Sequence, residues 1–253
     1  MAEQAGFHSA WYAEHHFNNY SLSPSPLMTV AHVAAKTKTI RLGTAVCILP
    51  LYHPARLLAE IGFVDTVSNG RLDLGVGSGY QEFEFERFGV KIAESGDIYN
   101  EFMDVLPMGL TQKTFEYHGK YLDIPPSSIA VRCLQQPAPP IWVTSGNPVT
   151  LGRGVREKHN LFVTALLGGN DAMQNLRGKM EQVAADNGKD LDRETCEAVL
   201  EGAGLVTKER RGREQLPEVV AGGAAASLRI AGGDGLAVLL AEDARFAMPP
   251  TPA

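Results

Sequence analysis

Cysteine is scarce in this chain of 253 residues: Cys47, Cys133 and Cys196 are odd in number, far apart and form no CxxC pair. That pattern supports neither a disulfide framework nor a zinc knuckle, and it suits a reducing cytoplasm. No apolar run reaches the roughly 18 residues that span a bilayer. The opening MAEQAGFHSAW has neither the basic nor the apolar segment of a secretory signal. Positive charge is lacking too. With 23 Lys and Arg against 29 Asp and Glu, the net charge is -6, so no basic field exists to draw phosphate backbones or anionic lipid. Neither nucleic acid nor membrane is an expected partner, and a soluble cytoplasmic protein is expected. No carboxylate and histidine set has ligand spacing around His15 and His16, so no metal is expected.

What is present is an ordinary globular composition, 44% hydrophobic, able to bury one large core. The length suits a (β/α)₈ barrel, typically about 250 residues, although two smaller domains fit length alone. Short β-rich runs recur, at Phe7 to Ala13, Ile40 to Leu49, Leu72 to Val76, Ile141 to Thr144 and Leu161 to Leu166. Helix-compatible segments separate them, and this alternation predicts parallel strands joined by crossover helices. Pro26 to Lys38 reads as a helix starting near Ser25. Pro54 to Val67 reads likewise, with Leu57, Leu58, Ile61 and Val64 at helical spacing. A helix over Glu94 to Lys113 is expected to break or kink at Pro107, which has no amide donor. Tyr117 to Tyr121 reads as a hairpin turn, and a further helical crossover is expected from Asn170 to about Leu200. After residue 200 the pattern changes to KERRGR, AGGAAASLRIAGGDG and a closing PPTPA, in which two more barrel units are not legible.

Four segments carry candidate chemistry. Ala13-Glu-His-His-Phe17 ends a strand, where parallel barrels place their sites. Adjacent strand residues face opposite ways, so only one of His15 and His16 enters the mouth unless the chain has already bent. Such a histidine suits proton transfer or a structural hydrogen bond, and Glu14 either orients a histidine or sits in a salt bridge. Gly43, Thr44 and Ala45 end the next strand with side chains small enough for a flat ring, or for tight packing. Gly75, Gly77 and Gly79 have GxGxG spacing, which is neither the dinucleotide fingerprint nor a P-loop. They either expose amides to an anion or merely turn the chain. Asn147-Pro148 begins a helix and serves as an ordinary cap or, with Thr150, as a phosphate seat.

Taken in order and spacing, these segments resemble the bacterial luciferase-like monooxygenases. The match runs roughly from Ala5 to Gly169. It is densest in GFHSAWYAEHHFNNYSLSPSP and IRLGTAVCILPLYHPARLLAEIGFVDTVSNGRLDLGVGSGYQEFEFERFGV, where turns, strand ends and surface positions agree along with the apolar pattern. The resemblance implies a (β/α)₈ TIM barrel that binds reduced FMN, or in one branch F420, at the carboxyl ends of its strands. It further implies a monooxygenase using O2 on a small organic substrate, a separate NAD(P)H-dependent flavin reductase, and a possible homodimer. It assigns the catalytic role to His15 and places Ala45 and Val46 behind the flavin ring, in luciferase through a non-proline cis peptide. Asn147 and Thr150 match the phosphate loop, with Gly146 where luciferase has a glutamate. Tyr80 is a candidate contact for ring or substrate.

Ser78 departs from the family by standing where luciferase carries an arginine for the FMN phosphate, with Arg153 or Arg156 as the available substitute. The ends depart as well, since the family pattern has a strand before Ala5 and two more after Gly169. The expectation is therefore an incomplete barrel over residues 1–200, lacking its first and last strands, with an atypical Gly/Ala-rich tail over 201–253 that is flexible or foreign to the fold. A truncated or frame-shifted gene product would look like this. Two alternatives accompany the monooxygenase: an F420-dependent hydride-transfer oxidoreductase, and a non-catalytic subunit or inactive fragment.

Overall fold

The computed structural model describes residues 2–4, 7–18, 23–145 and 147–163, isolated helical positions between 175 and 186, and the backbone of two short strands at 224–227 and 237–238. Its frame is a sheet of strands β1 (Ser9–Tyr12), β2 (Arg41–Thr44), β3 (Cys47–Ile48), β4 (Leu72–Gly77), β7 (Ile141–Thr144) and β8 (Asn160–Val163). β1, β2, β4, β7 and β8 pair in parallel in that order, and β3 also pairs with β4. Helices α1 (Pro26–Ala34), α2 (Pro54–Val67), α3 (Glu82–Phe88), α4 (Ser95–Thr111) and α5 (Pro148–Arg156) make the connections, and β5 (Phe115–His118) with β6 (Asp123–Ser127) forms the hairpin.

Local chemistry sets the helix starts. Ser25 caps α1 by accepting a 3.3 Å bond from the Met28 amide, while Pro26, Pro54 and Pro148 occupy first-turn positions where no amide is needed. At the other end of α2, Asn69 and Gly70 take positive φ, 58° and 71°, and turn the chain into β4. α1 stops at Ala34 rather than reaching Lys38. There the buried Arg71 guanidinium collects the carbonyls of Ala34, Thr37 and Ile40 at 2.8 to 3.1 Å, which ends the helix from outside it.

Of the expected break or kink at Pro107, the break does not occur: helix α4 runs through that position. Phe102, Met103, Val105, Leu106 and Leu110 are all buried along it. Burying a side chain of that size is worth roughly 1.5–3 kcal/mol, so together they outweigh the roughly 3 kcal/mol of an internal proline.

Alternation along the strands divides the sheet into two faces. Ala10, Leu42, Leu72, Leu74, Val76, Ile141 and Val143 join the main core with α1, α2 and α4. The opposite face carries Trp11 and Trp142, packed with Ala45 and Val46. It also carries Arg41, which grips Asp73 through two bonds of 2.7 and 2.8 Å. Gly43 belongs to this face for a steric reason: a Cβ there would lie 2.0 Å from the Trp11 ring.

The expected continuous strand over Ile40 to Leu49 is broken between β2 and β3. Gly43 pairs with Asp73 but Cys47 pairs with Val76, so one residue more is spent on this side than on β4. The Thr44 hydroxyl fills the gap in the ladder, donating to Gly75 O at 2.7 Å and accepting from Gly75 N at 2.9 Å. The Ala45–Val46 peptide in the break is cis.

Two short strands of the 201–253 stretch lie in the sheet. β9 (Ala224–Ser227) pairs antiparallel with β1, and β10 (Ala237–Val238) pairs parallel with β8. They cover opposite edges, and among the described residues the sheet does not close on itself. Most of the crossover expected after Asn170 lies outside the described residues. No described helix is long and apolar enough to cross a membrane.

Candidate active site

Parallel pairing brings the carboxyl ends of β1, β2, β4 and β7 to one edge of the sheet, and the candidate residues with a described position follow those ends. The chain leaves β1 at Tyr12, three residues before His15, and 13–16 is irregular. The bend removes the constraint of strand alternation, so both histidines find partners on α3 and on Glu14.

His15 is 8% exposed, with Nδ1 3.3 Å from Glu84 Oε1 and 2.8 Å from Gln81 Nε2. Its ring stands edge-on to Tyr80 at 6.0 Å between centroids. His16 donates its backbone amide to Glu84 Oε1 at 2.6 Å, and its ring Nε2 lies 2.9 Å from Glu14 Oε1. That bond to Glu14 raises the pKa of His16, with further attraction from the Glu14 and Glu84 charges, against the opposing effect of burial. Glu14 also accepts from the Ile48 amide at 3.1 Å and the Tyr52 hydroxyl at 2.7 Å. Burial pushes the Tyr52 phenol strongly up, aided by its acidic neighbours Cys47 and Glu14. The two readings of Glu14 meet in one contact, a hydrogen-bonded ion pair with a histidine, and that histidine is His16.

Glu84 is fully buried, and its Oε2 has no hydrogen-bond partner among the described residues. Nothing local in QEFEFERF announces this, since alternating acids on a short helix read as a solvated face. Phe85, also buried, turns α3 so that Glu84 enters the protein beside it. The turn into α3 uses Gly79 at φ 77°, where a Cβ would meet the Phe85 ring at 2.6 Å.

Ala45 and Val46 are half-buried over the tryptophan pair, whose rings meet edge to face at 5.0 Å. The Ala45 amide donates to Tyr12 O at 2.7 Å and ties the break to β1. Composition marked neither tryptophan as a site residue, because their meeting depends on strand order.

Ser78 and Ser145 each lie two residues past a paired position, Val76 on Val143. Asn147 is the N-cap of α5, its Oδ1 accepting from Val149 N at 2.9 Å, and Thr150 is half-buried in the first turn. Gly146 lies outside the described residues. Arg153, one of the two cations considered for Ser78, binds Asp104 and Glu157, each at 2.7 Å, and donates to Asn100 O at 2.9 Å.

A parallel α/β sheet with polar, histidine-bearing loops at the carboxyl ends of its strands is the arrangement on which (β/α) barrels build their sites. The chain belongs to the luciferase-like monooxygenase family, whose model matches residues 1–210. It is 60% identical over 191 residues to an uncharacterised protein of Sinorhizobium fredii, covering 76% of this chain and 54% of that one. The oxygenase component of a flavin-dependent trigonelline monooxygenase from Acinetobacter baylyi is 34% identical over 195 residues, with 76% and 54% covered. Among solved structures, the oxygenating constituent of 3,6-diketocamphane monooxygenase from Pseudomonas putida, in complex with FMN, superposes with a TM-score of 0.67 at 24% identity, covering 76% of this chain and 56% of that one. An F420-dependent secondary alcohol dehydrogenase gives 0.63 at 20% identity, covering 75% and 58%. These likenesses establish the luciferase-like TIM-barrel fold. The chain spans about half the length of the curated relatives it matches.

Proposed function

We propose that this chain carries the flavin-binding edge of an oxygenase component, which uses reduced flavin and O2 to oxidise a small organic substrate. The observation that carries the reading is the convergence, at one sheet edge, of a buried histidine, an aromatic-backed Ala45–Val46 surface and a helix N-terminus. The ring end fits a flavin: two small apolar residues over Trp11 and Trp142 offer a flat, dry surface. The phosphate end fits through neutral groups, Ser78, Asn147 and Thr150, with the N-terminus of α5 supplying partial positive charge. Gly146 is included in this loop by resemblance.

Reduced flavin, when bound, supplies the electrons that activate O2. The chain's own residues then have three tasks. Ala45 and Val46 back the ring, Tyr80 covers its neighbour His15 from solvent, and His15 holds or moves a proton for the reacting groups. The Acinetobacter relative is named an oxygenase component, which supports a separate NAD(P)H-dependent reductase as the source of reduced flavin. A second reading, F420-dependent hydride transfer, is favoured by Ser78, which lacks the charge expected for an FMN phosphate, and by the likeness to an F420 enzyme.

Fluorescence and absorbance titrations with FMN, reduced FMN and F420 separate the readings. Saturable binding of reduced FMN is expected. Preference for F420 would move the chain to the second reading, and failure to bind either would leave a non-catalytic subunit or an inactive fragment.

A further inference from the structure

The segment after β1 holds an arrangement that the flavin reading does not require. Gln81 and Glu84, three residues apart at the start of α3, both reach the same ring nitrogen of His15 from one side. Their chemistries are opposite. A carboxamide nitrogen only donates, so Gln81 at 2.8 Å needs a lone pair on Nδ1, which a neutral ring with its proton on Nε2 provides. A carboxylate only accepts, so Glu84 at 3.3 Å needs a proton on Nδ1, which the imidazolium provides.

We infer that Glu84 is a positioning residue and Gln81 its alternate. Glu84 holds the protonated His15 through Nδ1–H, and Gln81 holds the neutral ring through the same nitrogen. Three observations support this. Glu84 is fully buried and its Oε2 has no partner among the described residues, so the carboxylate keeps unused accepting capacity beside His15. Its Oε1 is already fixed by the His16 amide at 2.6 Å, so it needs no rearrangement when Nδ1 gains a proton. Gln81 is steadied from its other end, where Oε1 accepts from Asn18 Nδ2 at 3.3 Å. A small shift of the ring between two fixed partners changes its state without turning it away from the sheet edge, which is the preorganisation that proton transfer needs. Among the described residues, the groups near His15 include the edge-on Tyr80 ring and, on its own segment, Glu14 and His16. Glu14 is committed to His16, Ile48 and Tyr52.

The inference rests on His15 being the proton carrier of the proposed function, but its test needs no flavin and no turnover. In the flavin-free protein, two-bond 1H–15N spectra report which nitrogen of His15 carries the proton as pH is varied. Wild type is expected to be protonated on Nε2 when neutral and to gain its second proton on Nδ1. Glu84→Gln removes the partner of the charged form and is expected to move the His15 midpoint down. Gln81→Leu removes the donor to the neutral form and is expected to move it up, with more Nδ1–H tautomer at high pH. Should Glu84→Gln not fold, the upward shift in Gln81→Leu alone supports the arrangement. Shifts in the same direction, or a Gln81→Leu titration identical to wild type, overturn it. Loss of flavin binding with these opposite shifts intact would refute the proposed function and leave the Glu84–His15–Gln81 arrangement standing.

Discussion

Where β1 meets α3, two histidines face two buried carboxylates, Glu14 and Glu84, within 2.6 to 3.3 Å. Where β4 and β7 end and α5 begins, the corresponding groups are the uncharged Ser78, Asn147 and Thr150, and one cation of α5, Arg153, is held by Asp104 and Glu157. In the proposed function the first end handles a proton in a dry setting, where charge is strong and an unpaired group is costly, and the second seats a ligand through dipoles and hydroxyls. Apart from Glu84 Oε2, the carboxylate oxygens at the histidine end have partners among the described residues, while the second end departs from the family pattern at Ser78, so the two ends need not vary together.

The largest expected effect lies at the histidine end. His15→Ala is expected to lower turnover about 10²- to 10⁴-fold in flavin-supplied assays of product formation, with flavin affinity nearly unchanged. An unaltered rate would move the proton-handling role to His16 or off this segment. Next in size is the support beneath it. Tyr52→Phe deletes the 2.7 Å donor to Glu14 and is expected to cost about 1.5–3 kcal/mol in urea unfolding, as for hydrogen bonds to charged groups. A loss below about 0.5 kcal/mol would mean that Glu14 is satisfied by Ile48 and His16 alone.

At the proposed anchoring end, Ser78→Arg supplies the charge that the family pattern has and this chain lacks. FMN affinity is expected to rise about tenfold by fluorescence titration, the effect of one added charge-assisted contact. Equal affinity before and after would place the phosphate elsewhere. The smallest effect is in pH dependence. Glu14 raises the pKa of His16, so its stabilising contribution is complete below the unfolded value of about 6.5 and is lost as pH rises through the higher folded value. The urea midpoint is therefore expected to drift down over that window, and His16→Gln to flatten the drift. A slope unchanged in the variant would assign it to another group.

Much of this fold was legible because its signals are local. Pro54 begins α2 and Val67 ends it as the apolar spacing predicted, β7 covers Ile141–Thr144 as read, and the EHHF and GxGxG segments stand at strand ends. Elsewhere the local signal misled. The run over Ile40 to Leu49 reads as one strand because most of its residues are apolar or β-branched, and only pairing against β4 reveals the extra residue. Pro107 reads as a break because its donor is missing, and only packing along the rest of α4 overrides it.

By itself, then, the sequence determined the alternation of strands and helices, which follows from periodicity and turns within a few residues, and its motifs in order and spacing carried the resemblance that identified the family. Tertiary structure alone decided that Glu84, 69 residues from His15, is buried against it, that Trp11 meets Trp142, and that Arg153 binds Asp104 of α4. These depend on strand order and on which helix face turns inward. Burial and pairing belong to the assembled sheet, and no stretch of chain carries them on its own.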